Sequence, residues 1–97
     1  MLLLPTYNTL TRKLNENPDD IQTLLELVKL YPLANQLFDY EIINSIELYV
    51  SELGNNPKFI NLLKKIISDE QDKNIKFFYS SLLEGLNLLN SPSQDVK

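Results

Sequence analysis

The stretch Asn56-Pro57-Lys58-Phe59-Ile60-Asn61-Leu62-Leu63-Lys64-Lys65-Ile66-Ile67-Ser68 decides the fold class. Phe59, Ile60, Leu62, Leu63, Ile66 and Ile67 recur at helical spacing, and Lys58, Asn61, Lys64, Lys65 and Ser68 fall on the opposite side. A split of that kind is the signature of an amphipathic helix with one buried stripe. Asn56 offers a side-chain cap, and Pro57 at the first helical position gives up an N–H that would have no partner there.

The same pattern repeats on both sides. Upstream, Asp39 is a candidate cap before Tyr40 to Leu53, where Ile42, Ile43, Ile46, Tyr49, Val50 and Leu53 form one stripe and Gly54 ends it. Further upstream, Asn17-Pro18-Asp19-Asp20 echoes the Asn-Pro start at an offset of 39 residues, ahead of Ile21, Leu24, Leu25, Val28 and Tyr31. Pro32 is expected to stop or kink that helix. Tyr7, Leu10 and Leu14 predict a short first helix from about Thr6 to Asn15, with Thr6 as its cap. Downstream, Ser68 to Asp72 is polar, and Ile75, Phe78, Tyr79, Leu82, Leu86 and Leu89 mark a last helix. Gly85 lies inside it at a cost of about 1 kcal/mol relative to Ala, and is expected to let a neighbouring helix come close. No segment alternates with period two long enough to support a sheet. The reading is therefore an all-α, single-domain bundle over residues 1–90. It has four principal helices, or five if the 32–38 segment forms its own turn, and a flexible tail at 91–97. The Asn-Pro echo admits two stacked helical hairpins, although two units are fewer than a solenoid normally needs.

Ninety-seven residues suffice for one core without staples. A composition of 43% hydrophobic and 23% charged residues, with mean hydropathy −0.18, is that of a globular protein and too apolar for a disordered one. There is no Cys, which excludes a disulfide framework and thiolate chemistry, and no His, which excludes the commonest general base and transition-metal ligand. The net charge is −4 and eight of the nine basic residues are Lys, Arg12 being the exception. That balance argues against a nucleic-acid or anionic-membrane partner, since both require a basic footprint. Met1-Leu2-Leu3-Leu4 stops at Pro5, too short for a signal-peptide core, and no run approaches the ~18 apolar residues of a membrane span. The default expectation is a cytoplasmic protein, and the Asn-, Ile-, Leu- and Lys-rich usage is that of an AT-rich genome.

Catalytic and cofactor constellations are scarce. Asp19 and Asp20 are adjacent, so on a helix they diverge by about 100° and do not converge on one ion. The Asp69-Glu70-Gln71-Asp72-Lys73-Asn74 run lacks the glycine and closing glutamate of a calcium loop. There is no glycine-rich phosphate loop. No enzyme activity, cofactor, metal or small-molecule substrate is expected.

Two features point to a partner. Between Glu16 and Glu52 there are eight acids against Lys29 alone, a local balance of −7, with Glu41, Glu47 and Glu52 on one helix. Several apolar residues also miss their stripes: Leu27, Leu30, Leu48, Phe77 and Leu88. Some of these can cover a helix buried on more than one side, and the remainder should form an exposed patch of the kind that marks an interface. The leading expectation is a small acidic module that binds another protein or its own copy through Leu27, Leu30, Glu41, Glu47, Leu48, Glu52, Phe77 and Leu88. The alternative is an inhibitor of phage or mobile-element type whose acidic helices block a nucleic-acid-binding surface of a target protein. A third reading is weak nucleic-acid binding through Lys58, Lys64 and Lys65.

Overall fold

The computed structural model describes residues 2–89, and the side chains of residues 2–86. The expected 91–97 tail lies outside the described residues, as does the side chain of Leu88. Among the described residues six helices follow one another: α1 (Leu3–Glu16), α2 (Ile21–Val28), α3 (Tyr31–Gln36), α4 (Tyr40–Leu53), α5 (Pro57–Asp69) and α6 (Lys73–Leu89). The architecture is all-α, a small helical bundle, and the 32–38 segment does form a helix of its own. Consecutive helices share the broadest faces, α1 with α2, α3 with α4 and α5 with α6.

Local chemistry explains most of the boundaries. Asp39 caps α4 by accepting from the Ile42 amide at 3.2 Å, and Asn56 caps α5 by accepting from the Lys58 amide at 2.8 Å. Asp72 caps α6, accepting from the Asn74 amide at 2.9 Å and the Ile75 amide at 3.3 Å. Asn17 does not cap α2. Its carbonyl and side chain instead hold a turn, accepting from the Asp20 and Asp19 amides, and Asp20 takes the cap through the Thr23 amide at 3.1 Å and hydroxyl at 2.7 Å. The Asn-Pro echo is therefore one residue pair in two different roles. The Thr23 hydroxyl, and after it the Thr23 amide, holds the Asp20 carboxyl below its ordinary range.

Two other prolines begin helices that they were expected to bound differently. Pro5 sits inside the first turn of α1, so that helix starts at Leu3 and Thr6 is not its cap. Pro32 sits in the first turn of α3, and the break comes earlier, at Lys29–Leu30.

The core is one cluster with contributions from all six helices, and α2 lies at its centre. It packs against α1, α4 and α5. Leu27 is 0% exposed and Leu30 2%, so both are core residues and not part of a docking surface. Their departure from the Leu24/Leu25/Val28 stripe has a simple cause: a helix covered from three directions buries a broad arc and leaves only the strip of Gln22, Glu26 and Lys29 to solvent. On the far side of the core, α4 packs against α2, α3 and α6, and α6 against α3, α4 and α5. A hydrogen bond between the Tyr7 and Ser45 hydroxyls and one from Tyr49 to Asn15 (3.0 Å) tie α1 to α4.

Glycine placement reverses one expectation. Gly54 ends α4 at φ −82°, and a methyl group there would lie 2.5 Å from the Val50 carbonyl, 3.1 Å from the Phe59 ring and 3.2 Å from Leu86. The close approach expected at Gly85 thus occurs at Gly54, while a methyl group at Gly85 would meet nothing within 4 Å.

Leu27→Ala should cost about 2–5 kcal/mol, and Gly54→Ala about 1–3 kcal/mol by overpacking. Urea denaturation followed by circular dichroism measures both, and a loss under 1 kcal/mol for Leu27→Ala contradicts the central position of α2.

Candidate interaction surface between α4 and α6

Helices α4 and α6 pack together, with Gly54 at the end of one against Leu86 near the end of the other. Between them and Tyr31 of α3 opens a cleft of about 190 Å³, lined by Tyr31, Glu47, Val50, Ser51, Ser81, Leu82, Gly85 and Leu86. Gly85 forms the open part of its wall. A glycine there lowers helix propensity by about 1 kcal/mol and relieves no clash, so its effect in this fold is to keep the cleft open.

The polar atoms of the cleft are all committed in one sense. The Tyr31 hydroxyl donates to Glu47 Oε2 at 2.6 Å. Ser51 donates to the Leu48 carbonyl at 2.9 Å, and Ser81 to the Phe77 carbonyl at 3.0 Å. With those protons engaged, the cleft presents carboxylate and hydroxyl lone pairs, and its floor is the apolar Val50, Leu82 and Leu86. Burial, then the hydrogen bond and charge of Glu47, push the Tyr31 hydroxyl well above its ordinary pKa.

Exposed apolar side chains flank the cleft-lining residues on the same two helices. At 100° per residue Leu48 lies about 60° from Ser51 on α4, and Phe77 about 40° from Ser81 on α6, in each case outward of the cleft-lining serine. Leu48 is 57% exposed and Phe77 67%. An aromatic series runs inward from the surface: Phe77 meets Phe78 at 6.0 Å, and Phe78 meets Tyr31 edge-on at 5.8 Å. Of the expected binding residues, Glu47 lines the cleft, while Leu48 and Phe77 are exposed on the two helices that wall it. Glu41 and Glu52 are exposed on the same outer side of α4 as Leu48.

Sequence reasoning missed the turn before α4. Leu37, Phe38 and Tyr40 are all exposed, Phe38 at 72%, and Tyr40 falls within about 20° of Glu47 on α4. Phe38 is also the one non-glycine residue with positive φ (57°) among the described residues. The Phe38 amide donates to the Asn35 carbonyl at 3.1 Å and the Asp39 amide to the Ala34 carbonyl at 3.0 Å. That is a Schellman ending for α3, with phenylalanine where glycine normally sits. A bulky apolar pair directly before a capping aspartate was the signal available. Leu2 and Leu4 are exposed too, at the start of α1.

Charge completes the surface. Among the described residues the one ion pair is Lys29–Glu26 at 3.5 Å, so the carboxylates of α4 face solvent without a cation. Lys58, Lys64 and Lys65 are exposed on α5 and make no ion pair with them. No group of three or more carboxylates among the described residues could hold a metal ion, and no helix among them is long and apolar enough to cross a membrane. No family model, curated protein or solved structure matches the chain.

Phe38→Gly should stabilise the fold by about 1 kcal/mol, because left-handed backbone costs an L-residue roughly 1–2 kcal/mol and little burial is lost. A lower melting temperature in this variant would contradict the strained turn. Tyr31 and Tyr79 both hold their protons more tightly folded than unfolded, mainly through burial. Stability is therefore undiminished below pH ~10 and falls as pH rises beyond it. Tyrosinate absorbance should show late-titrating tyrosines, one fewer in Tyr31→Phe, with Glu47→Gln bringing the Tyr31 transition down.

Proposed function

We propose that the protein is a small non-catalytic binding module that docks on another protein through the outer side of α4 and α6. The observation that carries this reading is the exposure of Leu48 on α4 and Phe77 on α6, the two helices that wall the cleft holding Glu47, together with exposed Tyr40 on α4 and Leu37 and Phe38 just before it. Large aromatic and aliphatic side chains standing clear of the core are what interfaces use as anchors. The strain at Phe38 and the cost of Gly85 support the same reading, since neither is needed by the fold.

Charge selects among partners. Self-pairing across a two-fold axis would set Glu41, Glu47 and Glu52 against their own copies, which repel. A partner with a basic surface is favoured instead. A surface that ordinarily holds nucleic acid is one such partner, and the unpaired acids of α4 are the observation that favours this second form of the reading.

The test is selection from a displayed random-peptide library, with sedimentation equilibrium to follow self-association. Peptides enriched on the wild type should bind at least tenfold more weakly to the Leu48→Asp/Phe77→Asp variant, whose melting curve stays unchanged because both sites are exposed. Equal binding to the variant overturns the reading. Concentration-dependent dimerisation abolished by the same substitutions would assign the face to a second copy.

A further inference from the structure

Resting on that reading, we infer that the α4–α6 cleft is a receptor for one arginine side chain of the partner. Size is the first constraint. At about 190 Å³ the cleft is below the roughly 300–1,000 Å³ of pockets that take cofactors or drug-sized ligands. It corresponds to about six waters of liquid volume at roughly 30 Å³ each, the scale of a single long side chain.

Hydrogen-bonding sense is the second constraint. The hydroxyls of Tyr31, Ser51 and Ser81 already donate to Glu47, the Leu48 carbonyl and the Phe77 carbonyl. What remains for a guest is a set of acceptors: the free Oε1 of Glu47, the second lone pair of its Oε2, and the lone pairs of two serine oxygens. A guest made only of donors meets this set without displacing any of those bonds. Guanidinium carries five N–H donors and no acceptor, arranged in a planar fork that can meet a carboxylate and an adjacent hydroxyl together. An ammonium has three donors and no plane, and so uses the set less fully.

The third constraint is charge and packing. No basic side chain lines the cleft, and Glu47 is the one charged residue that does. Val50, Leu82 and Leu86 offer apolar wall to the three methylenes of an arginine stem, which buries its carbons while its head stays polar. Gly85 is the residue that admits the stem, because a larger side chain there would project into the same space.

The probe is N-acetyl-arginine methylamide, titrated into the uniformly labelled full chain and followed by amide chemical shifts, with the lysine and citrulline analogues alongside. Saturable shifts at Ser51, Ser81 and Gly85 are expected, with a roughly millimolar Kd for arginine. Binding should be several-fold weaker for lysine, and shifts should be absent for citrulline, its neutral isostere. Glu47→Gln should weaken arginine about tenfold, and Gly85→Leu should abolish the shifts while circular dichroism remains that of the wild type. Absence of saturable shifts, shifts elsewhere, or equal binding of citrulline overturns the inference. If peptide binding is lost in the Leu48→Asp/Phe77→Asp variant yet arginine does not enter the cleft, the docking face stands and the receptor falls. If arginine enters but those substitutions leave peptide binding intact, the receptor stands and the docking face falls.

Discussion

Burial of α2 from three sides is the constraint on which the rest of the molecule depends. Eight residues are too few to hold a helix in water, because nucleation is costly and propagation short. This one persists because Leu24, Leu25, Leu27, Val28 and Leu30 are all removed from solvent by α1, α4 and α5. Thr23, the buried polar residue among them, is satisfied by Asp20, so the capping aspartate serves the buried polar group on the core side of the helix. Once α4 has committed its Ile42, Ile43, Ile46 and Val50 face to the core, its opposite side must look outward. The outward side of α4 is a consequence of where α2 lies.

Much of this was legible in the sequence, and the exceptions have physical reasons. The helices with a single stripe, α4 and α5, and the caps Asp39 and Asn56 were readable because each is a local pattern with a local cause. Prolines were ambiguous. A missing N–H is harmless anywhere in a first turn, so Pro5 and Pro32 mark beginnings as readily as ends. Asn17 was misread for a related reason: an asparagine before a proline can cap a helix or close a turn, and Asp20 with Thr23 is the better cap.

At the candidate site the off-stripe rule separated Leu48 and Phe77 correctly from the core. It failed for Leu27 and Leu30, because the rule assumes a single narrow stripe, whereas α2 buries a broad arc and exposes only Gln22, Glu26 and Lys29. Nothing local could reveal the Tyr31–Glu47 hydrogen bond or the cleft beside Gly85. The first depends on how α3 and α4 pack, and the second on α4 and α6 coming together with all of α5 between them in the chain.

Two departures from local rules remain, and both lie beside the outward side of α4 and α6. Phe38 holds a left-handed backbone that glycine would adopt without strain, and Gly85 occupies a mid-helix position where alanine would fit without contact. Sequences that specify a fold agree with it at every level, and breaks in that agreement concentrate where something other than stability is being served. The unpaired carboxylates belong to the same argument. Exposed ion pairs contribute only about 0–1 kcal/mol, so leaving Glu41, Glu47 and Glu52 without lysine partners costs the fold little. Their field, undiminished by internal pairing, is then directed at whatever approaches α4. Stability is thus conceded in small amounts at several points bordering one surface, while the interior around α2 concedes none.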